Sequence, residues 1–127
     1  MEQVGLKDFR NFQIWSDTRR LTLQLHLISS KFPEGDPDRL SEKIKKTCLS
    51  LWANIADGCS NKQLDDAIQC IQTSNKMSTK LESLLQKSKE MNYIQQTEFD
   101  ELNGNLIEIK KRLILLLEKL SIDKPKE

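Results

Sequence analysis

The chain has 127 residues, of which 31% are charged and 37% hydrophobic, and its formal net charge is +1. This length corresponds to one domain with a single core. The near-neutral charge argues against a strongly electrostatic nucleic-acid binder at the level of one chain, although cations can still cluster locally. No apolar run of about 18 residues occurs and the N-terminus has no signal-peptide core, so we expect a cytoplasmic protein without a membrane partner.

A first helix is predicted over residues 12–32, after a polar arm at residues 1–11. Apolar and small residues recur there at intervals of four and three, as in Leu21, Leu25 and Ile28, which is the spacing of one helix face. Leu23 and Leu27 lie on the opposite face among basic residues. Two leucines one turn apart in that setting indicate a contact surface.

A second helix is predicted over Leu40–Gly58. Asp36 is the expected N-cap, and Gly58 is expected to end the helix because glycine adopts the left-handed C′ conformation without strain. The apolar arc covers roughly half of the helix, which is wide for one two-layer contact. Trp52 lies at the side of this arc, and Asn54 is the only amide on the polar edge, where it could hydrogen-bond to a neighbouring helix or subunit.

Two further helices complete the predicted fold. Ser60 and Gln63 resemble a capping box for a third helix that runs to about Met91, and Thr97 is the expected cap of a fourth helix that ends at about Leu120. The last turns of the fourth helix are apolar nearly all round. A single core cannot bury all of these side chains, so we expect Leu115 to expose apolar surface. Short connections predict an all-α, up-down-up-down antiparallel four-helix bundle over residues 12–120, with a charged tail at 121–127. The surplus apolar surface predicts assembly into a homo-oligomeric ring.

Catalytic and metal-binding signatures are absent from the sequence. Cys48, Cys59 and Cys70 form no CxxC pair, and His26 is the only histidine, so the sequence hardly offers the four converging ligands of a zinc site. No nucleophile elbow, phosphate loop or dinucleotide fingerprint occurs. We therefore predict no catalytic residue, no metal and no cofactor, and we expect that the protein is not an enzyme.

The basic residues form three clusters that are candidate nucleic-acid contacts. Their members are Arg19, Arg20, Lys43, Lys45, Lys46, Lys110, Lys111 and Arg112. A single cluster is most simply a solvated helix face. A ring would repeat each cluster once per subunit and build a multivalent positive surface from a neutral protomer.

Several short motifs resemble a known family. Phe12, Ile14 and Trp15, then Lys31-Phe32-Pro33, Ile44-Lys45-Lys46 and Asn54-Ile55-Ala56-Asp57-Gly58 are similar to the four-helix-bundle family encoded in intervening sequences of bacterial large-subunit ribosomal RNA genes. That family usually has Glu where Asp57 stands, and a Gly-Ser pair before Glu-Leu-Glu where this chain has Lys80-Leu81-Glu82. A sister branch is the accessory variability determinant of diversity-generating retroelements, which partners a reverse transcriptase. The resemblance implies a homopentamer that associates with nucleic acid.

Three functions remain open from the sequence. The first is a non-enzymatic homo-oligomeric accessory protein that binds RNA or DNA, most specifically beside a retroelement reverse transcriptase. The second is an intervening-sequence protein associated with ribosomal RNA. The third is a structural, protein-binding bundle without nucleic-acid contact. The predicted oligomer interface consists of Leu23, Leu27, Trp52, Asn54 and Leu115.

Overall fold

The protein is a bundle of four α-helices in a computed structural model that describes residues 9–123, with side chains described for residues 13–122. The helices are α1 (Phe9–Ser29), α2 (Leu40–Ser60), α3 (Leu64–Glu90) and α4 (Gln96–Asp123). Each helix packs on the next one along the chain, and α1 also packs on α4, so the four close into one bundle. Residues 9–123 contain no strand and no helix that could span a membrane. The prediction of an all-α, four-helix fold is confirmed.

The core is an apolar column contributed by all four helices, as the periodicity predicted. Each helix supplies residues that are almost fully buried, among them Leu21, Leu51, Leu81 and Leu106. On α3, three buried serines interrupt the apolar stripe. Ser74 and Ser88 donate their hydroxyl hydrogens to carbonyl oxygens of the preceding turn, which satisfies these groups without reaching another helix. Because serine side chains are small, they fill less space on the buried face of α3 than leucine or isoleucine would.

Gly58 does not end α2, contrary to the prediction, because the helix continues to Ser60. Gly58 is instead a point of close approach between helices. A Cβ atom at this position would lie 2.6 Å from Cδ1 of Ile71 and 3.3 Å from Cβ of Cys70. Glycine is needed here because the absence of a side chain lets α2 and α3 pack closely. Its conformational freedom is not required at this position.

The predicted helix caps are also largely wrong. Ser60 lies inside α2, and α3 starts at Leu64 after Gln63, whose side chain makes no capping bond. Thr97 lies inside α4, where Glu98 accepts a hydrogen bond from the backbone N–H of Gln95 at 2.9 Å. α1 starts at Phe9, three residues before the predicted boundary, and α4 ends at Asp123, three residues beyond Leu120. The remaining arm and tail residues lie outside the described residues.

The α1–α2 and α3–α4 connections meet at one end of the bundle. Asp36 accepts hydrogen bonds from the backbone N–H of Leu40 at 2.9 Å and from the Tyr93 hydroxyl at 3.0 Å. The rings of Phe32 and Tyr93 pack with centroids 5.2 Å apart. Asp36 thus supports the first turn of α2 as predicted, although the helix begins three residues after Pro37 because Arg39 takes a left-handed conformation with φ 51°.

Candidate nucleic-acid interface

The basic cluster on α2 is not neutralised by nearby acids. Lys43 and Lys46 are exposed and Lys45 is half-buried. None of the three is in an ion pair with a carboxylate among the described residues. The helix carries no Asp or Glu from residue 43 to residue 56. These lysines therefore keep their full charge available to a ligand.

The basic cluster on α4 is neutralised by acids of other helices. Nζ of Lys110 lies 2.8 Å from Glu82 of α3, and Arg112 pairs with Asp17 of α1. Lys111 pairs with Glu108 at 3.5 Å on the surface of α4 itself. Because each cation already faces a carboxylate, the α4 cluster is a weak candidate for phosphate contacts.

The two arginines of α1 differ from each other. Arg20 lies 3.6 Å from Asp17, which also receives Arg112, whereas Arg19 is exposed and has no ion pair among the described residues. Thr22 and Trp15 contact α2 through Cys48 and Trp52, respectively. Arg19 is four residues after Trp15 and three before Thr22, so helical spacing puts it on the same side of α1 as these two contacts.

Two separate apolar patches cover the outside of the bundle. The seam patch consists of Leu23, Leu27, Leu49 and Trp52, with Leu27 72% exposed. Leu23 and Leu49 each follow a member of the Thr22–Cys48 contact, so they lie at the same level of the seam. The α4 patch consists of Ile107, Ile114, Leu115 and Ile122, with Leu115 63% exposed. Leu49, Ile107, Ile114 and Ile122 extend the predicted contact surface.

The five predicted interface residues do not share one surface. Trp52 packs on Trp15 of α1 with ring centroids 5.6 Å apart. Asn54 lies on the opposite edge of α2, and its Nδ2 donates to the carbonyl oxygen of Ser50 at 2.8 Å, within the same helix. The bond from Asn54 to a neighbouring helix is therefore not formed. Leu115 lies on α4, away from both.

The contact between His26 and Cys48 does not form a reactive thiolate pair. Cys48 Sγ lies 3.9 Å from His26 Nδ1, which is also 3.0 Å from the carbonyl oxygen of Thr22. A carbonyl oxygen only accepts, so Nδ1 carries the hydrogen and cannot take one from the thiol. Burial raises the pKa of Cys48 to about 11, so the sulfur is a thiol at neutral pH. No group of three or more potential metal ligands occurs within the described residues.

Two exposed lysines of α3 are missing from the sequence-based candidates. Lys76 and Lys80 are exposed, and neither has an ion pair in the described part of the chain. The signal that could have identified them is the lack of any Asp or Glu from residue 67 to residue 81. Neither lysine belongs to a run of basic residues, so counting clusters overlooks them.

These features define a helical bundle with unpaired surface cations and two exposed apolar patches. The model of the 23S rRNA-intervening sequence protein family matches residues 10–115, and the chain belongs to this family. The crystal structure of a protein of unknown function from the S23 ribosomal protein family of Bacteroides thetaiotaomicron has the same fold. Its TM-score is 0.78 at 19% sequence identity, and the match covers 87% of this chain and 99% of that one. No curated protein matches. The family match favours the ribosomal-RNA interpretation over the reverse-transcriptase one, which it does not contradict.

Proposed function

We propose that this protein is a non-enzymatic, homo-oligomeric protein that binds the phosphate backbone of RNA. The observation that carries the proposal is the unpaired lysine cluster of α2, in which Lys43 and Lys46 stand exposed on a helix segment free of acids. Lysines bind phosphate as point charges and release counterions, so this contact is independent of sequence. The aromatic residue of α2, Trp52, packs on Trp15 of α1, so stacking on bases contributes little.

The two apolar patches support self-association into a closed ring. The seam patch lies on α1 and α2, whereas the α4 patch lies on α4, so a patch-to-patch contact joins unlike surfaces of two copies. Such heterologous contacts generate rings when the rotation closes. The number of five subunits comes from the family resemblance alone. A ring repeats the α2 lysines once per subunit, which gives a neutral protomer a multivalent positive surface.

Ribosomal RNA is the nucleic acid that we propose first, because the matched family is described by its 23S rRNA intervening sequences. A reverse transcriptase partner is the alternative that the family resemblance supports. The gene neighbourhood separates the two. A ribosomal RNA gene around the reading frame supports the first, and a reverse transcriptase gene with a template repeat beside it supports the second.

A filter-binding titration with a labelled RNA hairpin across a range of salt concentrations tests RNA binding. We expect affinity to fall steeply with salt, and to differ little between hairpins of unrelated sequence. The Lys43→Gln, Lys46→Gln double variant should bind all hairpins more weakly and retain its oligomeric state. Wild-type protein that shows no salt-dependent binding to RNA contradicts the proposed function and favours a structural, protein-binding bundle.

Light scattering tests the assembly. We expect wild-type protein at micromolar concentration to have a mass several times that of the protomer. Leu27→Asp places a charge in the seam patch and should reduce the mass to that of a monomer, while helicity measured by circular dichroism stays constant because Leu27 is not part of the core. A monomeric wild type contradicts the ring, and a dimer or tetramer contradicts only the number of five.

A further inference from the structure

Two facing helix segments of this protein carry lysines and no acids. Residues 43–56 of α2 carry three lysines, residues 67–81 of α3 carry two, and neither segment contains Asp or Glu. The remainder of the chain therefore has a net charge of −4, since the total is +1. The neutral total conceals a strong separation of charge.

The contact at Gly58 fixes how the two segments face each other. Gly58 lies against Cys70 and Ile71, and the three-residue connection from 61 to 63 makes α2 and α3 antiparallel neighbours. Counting away from this contact, Lys80 lies at the level of residues 48 and 49 of α2. Lys43 and Lys46 follow further along the same direction. At 1.5 Å per residue, Lys43, Lys46, Lys76 and Lys80, the four exposed lysines among the five of these segments, project onto roughly 14 Å of the bundle axis.

The edge of α2 that faces α3 carries Lys43, and Lys46, three residues further on, lies beside Lys43 on the outer face of the helix. Gly58 and the buried Thr47 lie on this edge, and Lys43 is one turn before Thr47. On α3, Lys76 and Lys80 are one turn apart on the outer face of the helix. The one acid of α3 that falls at this level, Glu82, is paired on the other side of the helix with Lys110 of α4 at 2.8 Å.

We infer that Lys43, Lys46, Lys76 and Lys80 form one continuous surface, the α2–α3 lysine surface, which binds a single strand path of RNA phosphates. This inference rests on the proposed function and specifies its site. Ser50, half-buried at the level of the lysines, and Asn54 and Thr73, half-buried on the Gly58 side of them, offer polar rather than apolar contacts. A protein partner would require an apolar centre for a stable interface, whereas a phosphate backbone requires spaced cations and polar groups.

The surface is compatible with ring assembly. The seam patch lies on the α1 side of α2, where Trp52 packs on Trp15, and Lys43 lies on the α3 side. Lys46, three residues before Leu49, lies between the two on the outer face of α2. A neighbouring copy that covers the seam patch leaves Lys43, Lys76 and Lys80 open to solvent, and no residue of a second copy is needed to build their surface.

The experiment compares charge-matched double variants in the RNA hairpin titration. Lys76→Gln with Lys80→Gln removes two unpaired cations of α3. Arg20→Gln with Lys111→Gln removes two cations that are paired with acids on the α1 and α4 side, and therefore changes the net charge by the same amount. Lys76→Arg with Lys80→Arg preserves the charge. Circular dichroism and light scattering verify that every variant retains its fold and assembly.

We expect Lys76→Gln with Lys80→Gln to lower the slope of log K against log salt by about 1.4–1.8, since each lost phosphate contact contributes about 0.7–0.9. The affinity should fall about tenfold at moderate salt. Lys76→Arg with Lys80→Arg and the control Arg20→Gln with Lys111→Gln should both bind RNA like wild type.

Wild-type affinity in the Lys76→Gln, Lys80→Gln variant, combined with weak binding in Lys43→Gln, Lys46→Gln, overturns this inference and leaves the proposed function intact. An equal loss in the paired-cation control also overturns it, because the effect is then one of net charge. Failure of wild-type protein to bind RNA overturns the proposed function itself.

Discussion

The two sides of this bundle use charge in opposite ways. Where α1 meets α4, Asp17 of α1 receives Arg112 of α4 and also Arg20 of its own helix. Where α2 meets α3, the helices are joined by close apolar contact at Gly58 and Ile71. The lysines of these two segments form no ion pair with a carboxylate among the described residues. Both pairs of helices pack against each other, one with ion pairs between the helices and the other by close apolar contact.

The difference indicates which cations are available for binding. A cation that is held by a carboxylate of the same protein must lose that partner before it can bind a phosphate. An unpaired lysine has no such cost. The close packing at Gly58 matters here because it brings two acid-free segments together without using any charged group as a link.

The largest expected effect comes from filling the α2–α3 contact. Gly58→Leu forces a side chain onto Ile71, which is fully buried, and should lower the free energy of unfolding by about 3 kcal/mol through overpacking. Urea denaturation followed by circular dichroism measures the loss. Gly104→Leu is the matched control, because Gly104 lies in α4 with nothing within 4 Å of an added Cβ. It should raise stability by about 0.5–1 kcal/mol through better helix propensity.

A double-mutant cycle sharpens this prediction. Gly58→Ala would place its Cβ nearest to Cδ1 of Ile71, and Ile71→Val removes that atom. Ile71→Val alone should cost about 0.5–1.5 kcal/mol, and in the Gly58→Ala background it should cost close to nothing, because it relieves the overlap. Additive costs would show that Gly58 and Ile71 are not coupled, and that the close contact of α2 with α3 is not what glycine provides.

The second prediction concerns the α1–α4 side. Asp17→Ala removes the acceptor shared by Arg112, Arg20 and Gln13, and should lower the free energy of unfolding by about 1–2 kcal/mol. The carboxylate is mostly buried while its partners are partly exposed, so the cost lies between those of a surface pair and an interior pair. Glu108→Ala breaks only the exposed pair with Lys111, and should change stability by less than about 0.5 kcal/mol. Equal losses in the two variants would contradict a specific role for Asp17.

The number of helices and the core could be predicted from the sequence. Core residues such as Leu51 and Leu106 belong to apolar stripes with a helical period, and such a period is visible within a short stretch of sequence. The sequence could not predict the ends of helices as well, since Gly58 is equally suited to a C′ position and to a close contact, and only the position of Ile71 decides between them. The neutralisation of Arg112 was also beyond the sequence, because its partner Asp17 lies 95 residues away along the chain. Lys76 and Lys80 could have been found, since the absence of acids around them is written in the sequence.

The smallest expected change in stability at neutral pH concerns the end of the bundle where Asp36 and Tyr93 join the two connections. Backbone hydrogen bonding from Leu40 and the bond from Tyr93 lower the pKa of Asp36 below its ordinary value of 3.8, so the charged carboxylate stabilises the fold. That contribution is present above about pH 4 and is lost as the pH falls through the lowered folded-state pKa. Urea denaturation of wild type and Asp36→Asn should therefore give a difference that is constant near neutral pH and vanishes in acid.

Tyr93 reports the same link from the alkaline side. Burial first, and then its hydrogen bond to Asp36, raise the pKa of Tyr93 above the ordinary value of 10.0. A raised pKa means that this group stabilises the fold below the unfolded-state value, and that its contribution is lost as the pH rises through the folded-state value. Because Tyr93 is the only tyrosine in the chain, an ultraviolet absorbance titration follows it alone. The midpoint should lie above 10.0 in wild type and move down in Asp36→Asn. An unchanged midpoint would contradict the hydrogen bond, and with it the proposal that this contact ties the α1–α2 connection to the α3–α4 connection.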